Sequence, residues 1–451
     1  MKSNTKIQMP EKVKNIIETI QAAGFEAYAV GGCVRDSLLG RIPNDWDITT
    51  SAKPEEIKKL FKRTIDTGIE HGTVTVMLDK DGFEVTTYRV DGEYEDGRHP
   101  KEVSFTASLK EDLRRRDFTI NAMAYNEEEG LVDIFGGMDD LNAGIIRCVG
   151  DAKERFSEDA LRMLRAIRFS AQLGYEIEKS TLDAIRELAP NLQKISAERI
   201  QMEMTKLLVS PHPDYLRIAY ETGVTKVFFP EWDRAMETMQ NHPHHCYNVG
   251  EHILHSMTEV RADRILRFAM MLHDIAKPEA LTVDSEGITH FYGHPEMSEK
   301  MGITIMRRLK MDNDTIHAVS RLVRYHDYGN DLIPDPRLTR RAIHKIGADI
   351  FPLLLEVKKA DILSQSMYMR EEKLNNLDAW RTCYEEVIAK EECVSLKMLA
   401  VNGQDLIAEG IRPGKGLGEI LNTLLSMVIE EPEKNNKEYL LEEAKRLNQE
   451  F

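Results

Sequence analysis

The chain has little that would mark an exported, membrane-bound or disulfide-stabilised protein. Its five cysteines, Cys33, Cys148, Cys246, Cys383 and Cys393, are odd in number, scattered, and never spaced as CxxC. That excludes a disulfide framework and a thiolate zinc site, and it predicts a reducing compartment, the cytoplasm. No apolar run is long enough to cross a bilayer, and the opening MKSNTKIQMPEKVKN has neither an apolar h-region nor a small-residue cleavage site. An unexported protein with no membrane partner is therefore expected. Positive charge is outweighed, with 60 Lys and Arg against 76 Asp and Glu and a formal net charge of −16. Phosphate affinity needs positive surface to displace counterions, so DNA is not an expected partner and RNA would have to be met by local basic patches. Internal repeats and low-complexity tracts are lacking too, which leaves several ordinary globular domains in 451 residues.

What is present falls into two parts. Up to about Gly150, extended and helical pieces alternate: FEAYAV at Phe25–Val30, a Gly-Gly turn, a short helix through Val34–Leu39, an extended DWDITT at Asp45–Thr50, and a helix opening near Pro54. Thr73–Leu78 and Phe83–Tyr88 read as strands joined by the turn-forming DKDG at Asp79–Gly82. This predicts an α/β head over residues 1–150. Helical periodicity follows, starting with SEDALRMLRAIRFSAQLGY from Ser157, so the remainder is expected to be largely all-α. The divisions expected there are a helical neck and body over 151–240, a His-containing domain over 241–365 and a helical tail over 366–451.

Asp45 and Asp47 stand two apart on a predicted strand, so both carboxylates project from one face and could hold Mg²⁺ through hard oxygen ligands. Upstream, Gly31 and Gly32 lie between strand and helix, where a backbone without Cβ atoms can approach a triphosphate and helix N–H groups can cradle it; Arg35 adds a cationic donor. A plain β-turn-α connection would look the same. The longer segments decide between these: GGCVRDSLLGRIPNDWDITT, EVTTYR at Glu84–Arg89 and RRDFTINAMAYN at Arg115–Asn126. In this order they resemble the class II CCA-adding enzyme and bacterial poly(A) polymerase family of the DNA polymerase β nucleotidyltransferase superfamily.

The resemblance implies untemplated addition of CCA to tRNA 3′ ends from CTP and ATP, with release of pyrophosphate. Asp45 and Asp47 match the catalytic metal-binding pair, which would activate the primer hydroxyl. Glu84 is a third carboxylate that could point into the site, or else a solvated strand residue. Arg115 and Arg116 would meet phosphates or pair structurally. Asp117 and Asn121, four apart and so expected on one helical face, match ribose-recognising residues. In SEDALR, Asp159 and Arg162 are expected one turn apart on a helix, where the family's matching pair reads the incoming base. One carboxylate and one guanidinium suit the donor–acceptor edge shared by cytosine and adenine and oppose that of guanine and uracil. Arg165 and Arg168 on the same segment complete the nucleotide-binding set. The polar stretch Asp91–Phe105 resembles the loop that full CCA-adding enzymes use to switch from C to A, which disfavours a CC-only enzyme. Lys415, between Gly414 and Gly416 in a tail element similar to the family's, could face tRNA phosphates or simply occupy an interhelical turn.

His252, then His273 with Asp274, then Asp361 form an ordered H…HD…D pattern that resembles the HD-superfamily phosphohydrolases. The apolar run Ile265–Ala280 would bury and orient His273 and Asp274, with Lys277 available for a phosphate. His294 and His326 occur where relatives place further metal or substrate ligands. The resemblance implies a metal-dependent phosphodiesterase or phosphatase, and its imidazole and carboxylate donors suit Mn²⁺, Fe²⁺, Ni²⁺, Co²⁺, Zn²⁺ or Mg²⁺. His242, His244 and His245 precede this core and read as structural or substrate-facing. Three competing readings remain. A poly(A) polymerase would carry a strongly basic extension and no HD pattern. An A-adding enzyme with a separate CC-adding partner would share nearly every motif, and an HD phosphohydrolase with an RNA-binding head would be expected to lack Asp45 or Asp47.

Overall fold

The protein is described by a computed structural model covering residues 6–91 and 103–450, in two compact units, Met1–Pro230 and Glu231–Phe451. Most of the expected C-to-A switching loop lies outside the described residues.

The first unit is built on a seven-stranded mixed sheet. Its strands are β1 (Ala27–Val30), β2 (Ile48–Thr50), β3 (Thr64–Gly68), β4 (Thr73–Leu78), β5 (Asp81–Thr87), β8 (Met123–Asn126) and β9 (Gly130–Asp133), in the order β3-β4-β5-β2-β1-β8-β9; β6 (Arg89–Asp91) and β7 (Val103–Phe105) form a separate pair. Every residue of β1, β2 and β8 is buried, as expected of central strands covered on both faces, whereas β4 alternates with Val74 and Val76 inward. The β4–β5 hairpin turns on Asp79, whose φ of 58° is a left-handed conformation that Asp tolerates. Within this sheet β2 and β5 are the pair that runs parallel, and their register pairs Ile48 with Val85. Asp47 and Glu84 therefore stand side by side, one residue before that pair.

Two local expectations need correction. β2 begins at Ile48, so Asp45 and Asp47 precede the strand. Only the carbonyl of Asp47 reaches the ladder, accepting a bond from Val30 N, yet Trp46 is buried between two exposed aspartates, so both carboxylates still share a face. The helix expected from Ser157 is broken at Asp159: one helix spans Ala152–Glu158 and the next Leu161–Leu173. Asp159 is extended there (φ −141°, ψ 105°), and its carboxylate accepts a bond from Leu161 N, the local side-chain-to-backbone bond by which Asp competes with helix continuation.

The second unit is helical apart from a short antiparallel hairpin, Leu281–Val283 with Thr289–Phe291. Its centre is the helix Arg264–Leu272, in which every residue from Leu266 onward is buried, the pattern of a helix surrounded by others. Helices Val249–Thr258, Asn313–Tyr325 and Phe351–Ser364 all contact it. A separate apolar cluster, including Leu406, Leu424, Val428 and Leu440, holds the C-terminal helices together. Among the described residues no helix is long and apolar enough to cross a membrane.

Candidate functional sites

In the first unit, Gly31 and Gly32 turn the chain from β1 into the helix Gly32–Leu38. Gly31 has φ 83°, a conformation that favours glycine, and a Cβ at this position would come 3.1 Å from Arg116 Nη1, which would have to shift by a few tenths of an ångström. The turn opens onto a cavity of about 750 Å³, lined among others by Asp45, Asp47, Arg116, Asp117, Arg165 and Lys206.

One wall is a chain of polar contacts. Arg165 donates twice to Asp117 Oδ2 (2.8 and 2.6 Å), Asn121 Nδ2 donates to Asp117 Oδ1 (3.1 Å), and Arg35 Nη1 donates to Asn121 Oδ1 (2.6 Å). Asp117 and Asn121 meet as expected but not on a helix: Asp117 precedes an isolated bridge at Phe118, and Asn121 ends a 3₁₀ turn. Burial alone would raise the Asp117 carboxyl, yet Arg165 and Asn121 hold it well below the usual range. Arg35, Arg165 and Arg168 all lie over the ring of Phe169, at 5.0, 5.4 and 3.8 Å. Arg168 is anchored on the buried Glu203 (2.5 Å). This part of the cavity lining is thus cationic and held in place by its own partners.

The same cavity is lined by Asp45 and Asp47, which also line an adjoining cavity together with Glu84. Burial and the neighbouring Asp45 raise the Asp47 carboxyl, while Arg116 lowers it; Glu84 is raised by burial and by Asp47 and Asp45. Neighbouring carboxylates favour a cation between them, and hard oxygen donors suit a divalent one. Arg115 and Arg116, expected to meet phosphates or to pair structurally, differ in their surroundings. Arg115 bonds the buried Asp112 (2.8 Å), whereas Arg116 lies 3.5 Å from that carboxylate and also faces the cavity.

Asp159 and Arg162 take separate partners. Asp159 pairs with Arg199 (2.7 Å), and Arg162 donates to Glu158 (2.6 Å) and the Arg115 carbonyl (3.0 Å). Sequence reasoning overlooked Arg199, Glu203 and Phe169. Asp112 was open to detection, because it lies three and four residues before Arg115 and Arg116. Lys415 opens the helix Lys415–Glu430 with its side chain 94% exposed.

In the second unit, His273 and Asp274 follow the helix Arg264–Leu272 rather than lie on it, in the turn before Lys277–Ala280. The His273 ring itself ends the helix, its Nδ1 donating to Met270 O at 2.7 Å. Three other buried histidines repeat the device: Nδ1 donates to Ser364 O from His252 (3.3 Å), to Phe291 O from His294 (2.8 Å) and to Val323 O from His326 (2.7 Å). A carbonyl can only accept, so each Nδ1 carries the proton and each Nε2 is left as a lone pair.

Those lone pairs converge. His252 and His273 Nε2 are 3.3 Å apart, and His294 and His326 Nε2 are 3.2 Å apart. Asp274 stands between the two pairs, Oδ2 at 3.4 Å from both His252 and His273, Oδ1 at 3.1 Å from His294 and 3.6 Å from His326. Asp361 closes the first pair at 2.9 Å from His252. Acceptors face acceptors, and buried Asp274 Oδ1 has no hydrogen-bond donor. Positive charge, as a metal ion or as protons on the imidazoles, satisfies such a set. Against the effect of burial, Asp274 and Asp361 push His273 up to about 10, which is a proton held where a metal ion would fit. Lys277 Nζ sits 2.7 Å from Asp274 Oδ2.

Similarity to known proteins follows the same division. The family described as the Poly A polymerase head domain matches residues 27–147, one described as an RNA and SrmB-binding site of polymerase A matches 174–236, and tRNA nucleotidyltransferase domain 2 matches 279–444. The CCA-adding enzyme of Pediococcus pentosaceus is 36% identical over 438 residues, 97% of this chain and 98% of that protein. That of Ligilactobacillus salivarius is 36% identical, over 98% and 97%. The crystal structure of the Bacillus stearothermophilus CCA-adding enzyme in complex with CTP superposes with a TM-score of 0.72 at 30% identity, covering 98% of this chain and 99% of that one. With this identity sustained along nearly the whole of both chains, the protein belongs to the CCA-adding enzyme family of nucleotidyltransferases.

Proposed function

We propose that the cavity of the first unit adds C, C and A to the 3′ end of tRNA, taking CTP and ATP and releasing pyrophosphate. The observation that carries this is that one cavity is lined both by the carboxylates of Asp45 and Asp47 and by the guanidiniums of Arg35, Arg165 and Arg168, with Glu84 beside the same two carboxylates in the adjoining cavity. Three neighbouring carboxylates fit a divalent ion, Mg²⁺ in our reading, whose chemistry when bound is to neutralise charge and acidify the attacking hydroxyl. The chain itself does the rest. The Gly31–Gly32 turn admits the triphosphate, Arg35, Arg116 and Arg165 hold its charge, and Asp117 with Asn121 orients the ribose. Asp159 and Arg162 read the base, which requires them to leave Arg199 and Glu158 when a nucleotide enters. The test is incubation with tRNA ending at the discriminator base, at C and at CC, with CTP and ATP supplied separately. Stepwise C, C, A addition supports the reading, whereas addition of A to the CC end alone makes this an A-adding enzyme.

A different observation favours a second activity. Four imidazole lone pairs and two carboxylates gathered around an unsatisfied buried oxygen form a set with no evident structural use, because each acceptor opposes its neighbour. We infer that residues 241–365 form a metal-dependent phosphohydrolase. His252, His273, Asp274 and Asp361 would hold one ion, and His294 and His326, sharing Asp274, would hold a second. The chemistry such ions supply when bound is a hydroxide-like water at neutral pH. Metal analysis of the purified protein, with assays on 2′,3′-cyclic nucleotides and phosphomonoesters, tests this directly.

A further inference from the structure

The cations that line the nucleotide cavity divide by what they touch. Arg35 pairs with Asp36 (2.8 Å), Arg116 approaches Asp112 (3.5 Å), Arg165 pairs with Asp117 (2.6 Å) and Arg168 with Glu203 (2.5 Å). The charge of each is therefore offset, at least in part, by a carboxylate of the protein. Arg41 and Lys206 line the same cavity, both exposed, and among the described residues their side chains take no hydrogen-bond or ion-pair partner. An exposed cation without a partner is by itself an ordinary solvated side chain. What distinguishes these two is where the chain puts them.

Lys206 lies on the helix Ala197–Leu208, seven residues after Arg199 and three after Glu203, spacings that place all three on one face. Arg199 holds Asp159, one of the two residues expected to read the base, and Glu203 holds Arg168. Arg168 in turn shares the ring of Phe169 with Arg35, which belongs to the helix that follows the Gly31–Gly32 turn. This face thus starts at the base-reading residues, passes the anchored guanidiniums and ends on Lys206, about 10 Å along the helix axis from Arg199. A nucleotide laid with its base toward Asp159 directs its outer phosphates toward that end. Arg41 stands in the segment between the helix Gly32–Leu38 and Asp45, four residues before that carboxylate.

We propose that Lys206 and Arg41 hold the β- and γ-phosphates of the incoming nucleotide. In the transfer the tRNA 3′-oxygen bonds to the α-phosphorus and the bond from that phosphorus to the bridging oxygen breaks. The electron pair leaves on pyrophosphate, the hydroxyl proton passes to solvent, and the two cations face the charge that develops on the leaving group. This rests on the nucleotide-addition reading of the first unit, which it deepens. The partnered guanidiniums serve any nucleotide, whereas the two unpartnered cations answer the charge that only the outer phosphates bring.

Calorimetric binding of CTP, CMP and inorganic pyrophosphate to the full-length protein, with Mg²⁺ and without tRNA, isolates those phosphates. Lys206→Ala and Arg41→Ala should each weaken CTP and pyrophosphate about tenfold or more, the range for one lost charge-assisted hydrogen bond, and leave CMP within about twofold. Lys206 is exposed on a helix, where alanine is the best helix former, so the variant keeps the fold. Lys206→Arg should restore most of the CTP affinity. In tRNA extension the KM values for CTP and ATP should rise by one common factor while that for tRNA stays put, because neither residue reads the base. Equal weakening of CTP and CMP overturns the proposal, since a residue that merely braces the cavity acts on both. Unchanged CTP binding in either alanine variant overturns it as well. If the wild-type protein extends no tRNA but Lys206→Ala and Arg41→Ala still weaken CTP and pyrophosphate and spare CMP, the phosphate site stands and the nucleotide-addition reading falls.

Discussion

Replacing Asp117 by Asn tests whether the cationic wall of the nucleotide cavity depends on its buried counter-ion. The amide is nearly isosteric, so its oxygen can keep the bonds from Phe118 N (2.8 Å) and Asn121 Nδ2 (3.1 Å). Its nitrogen then stands where Oδ2 stood, facing Arg165 Nε and Nη2, which approach to 2.8 and 2.6 Å. Two charge-assisted bonds become donor against donor. Neutralising one partner of a buried pair costs about 3–5 kcal/mol. The Arg165 side chain is 34% exposed and can turn toward water, which reduces the expected loss to about 2–3 kcal/mol. For a unit of this size that corresponds to a fall in Tm of about 4–12 °C. Because Asn121 in turn holds Arg35, affinity for CTP and ATP should fall together. The assay is a thermodynamic cycle of Asp117→Asn, Arg165→Met and the double variant, read by denaturant unfolding and by nucleotide titration. A coupling above about 1.5 kcal/mol is expected, and effects that add within about 0.5 kcal/mol would refute the reasoning.

The remaining predictions concern the other sites and one surface cap. His273→Ala should remove bound transition metal and phosphohydrolase activity while nucleotide addition is unchanged, because its partners all belong to the second unit; metal analysis beside a tRNA extension assay reads both. Asp159→Ala or Arg162→Ala should raise UTP and GTP misincorporation relative to CTP and ATP, and one common loss for all four nucleotides would return both residues to salt-bridge roles with Arg199 and Glu158. Glu178 caps the helix Lys179–Leu188, accepting from Thr181 N (2.8 Å) and Ser180 Oγ (2.7 Å). Partial burial opposes ionisation, but those bonds hold its carboxyl down to about 2 from the usual 4.5. A pKa depressed by folding gives stability present in full above 4.5 and lost as pH falls toward 2, so Glu178→Gln should flatten the acid limb of the unfolding curve between those values.

The sequence carried most of the chemistry and less of the geometry. His252, His273, Asp274, His294, His326 and Asp361 could be named in advance because their order along the chain resembles that of the HD phosphohydrolases. The carbonyls that fix their Nε2 atoms inward could not, since every residue has one and only the fold decides which faces a ring. Asp45 and Asp47 were correctly given a common face, although the strand starts at Ile48, because the burial of Trp46 imposes the same alternation without full pairing. The break at Asp159 was legible in principle, Asp being a residue whose carboxylate competes for backbone N–H groups. Its partner Arg199 lies 40 residues away and that of Arg168, Glu203, lies 35 away, distances at which only tertiary packing brings side chains together.

One measurement bears on the central claim that a single carboxylate site adds all three nucleotides. Asp45→Ala and Asp47→Ala should each be assayed on tRNA ending at the discriminator base, at C and at CC, with binding of the same tRNAs followed in parallel. The account predicts that C and A addition vanish together on every substrate while tRNA binding survives. A variant that still adds either nucleotide at the wild-type rate would contradict it.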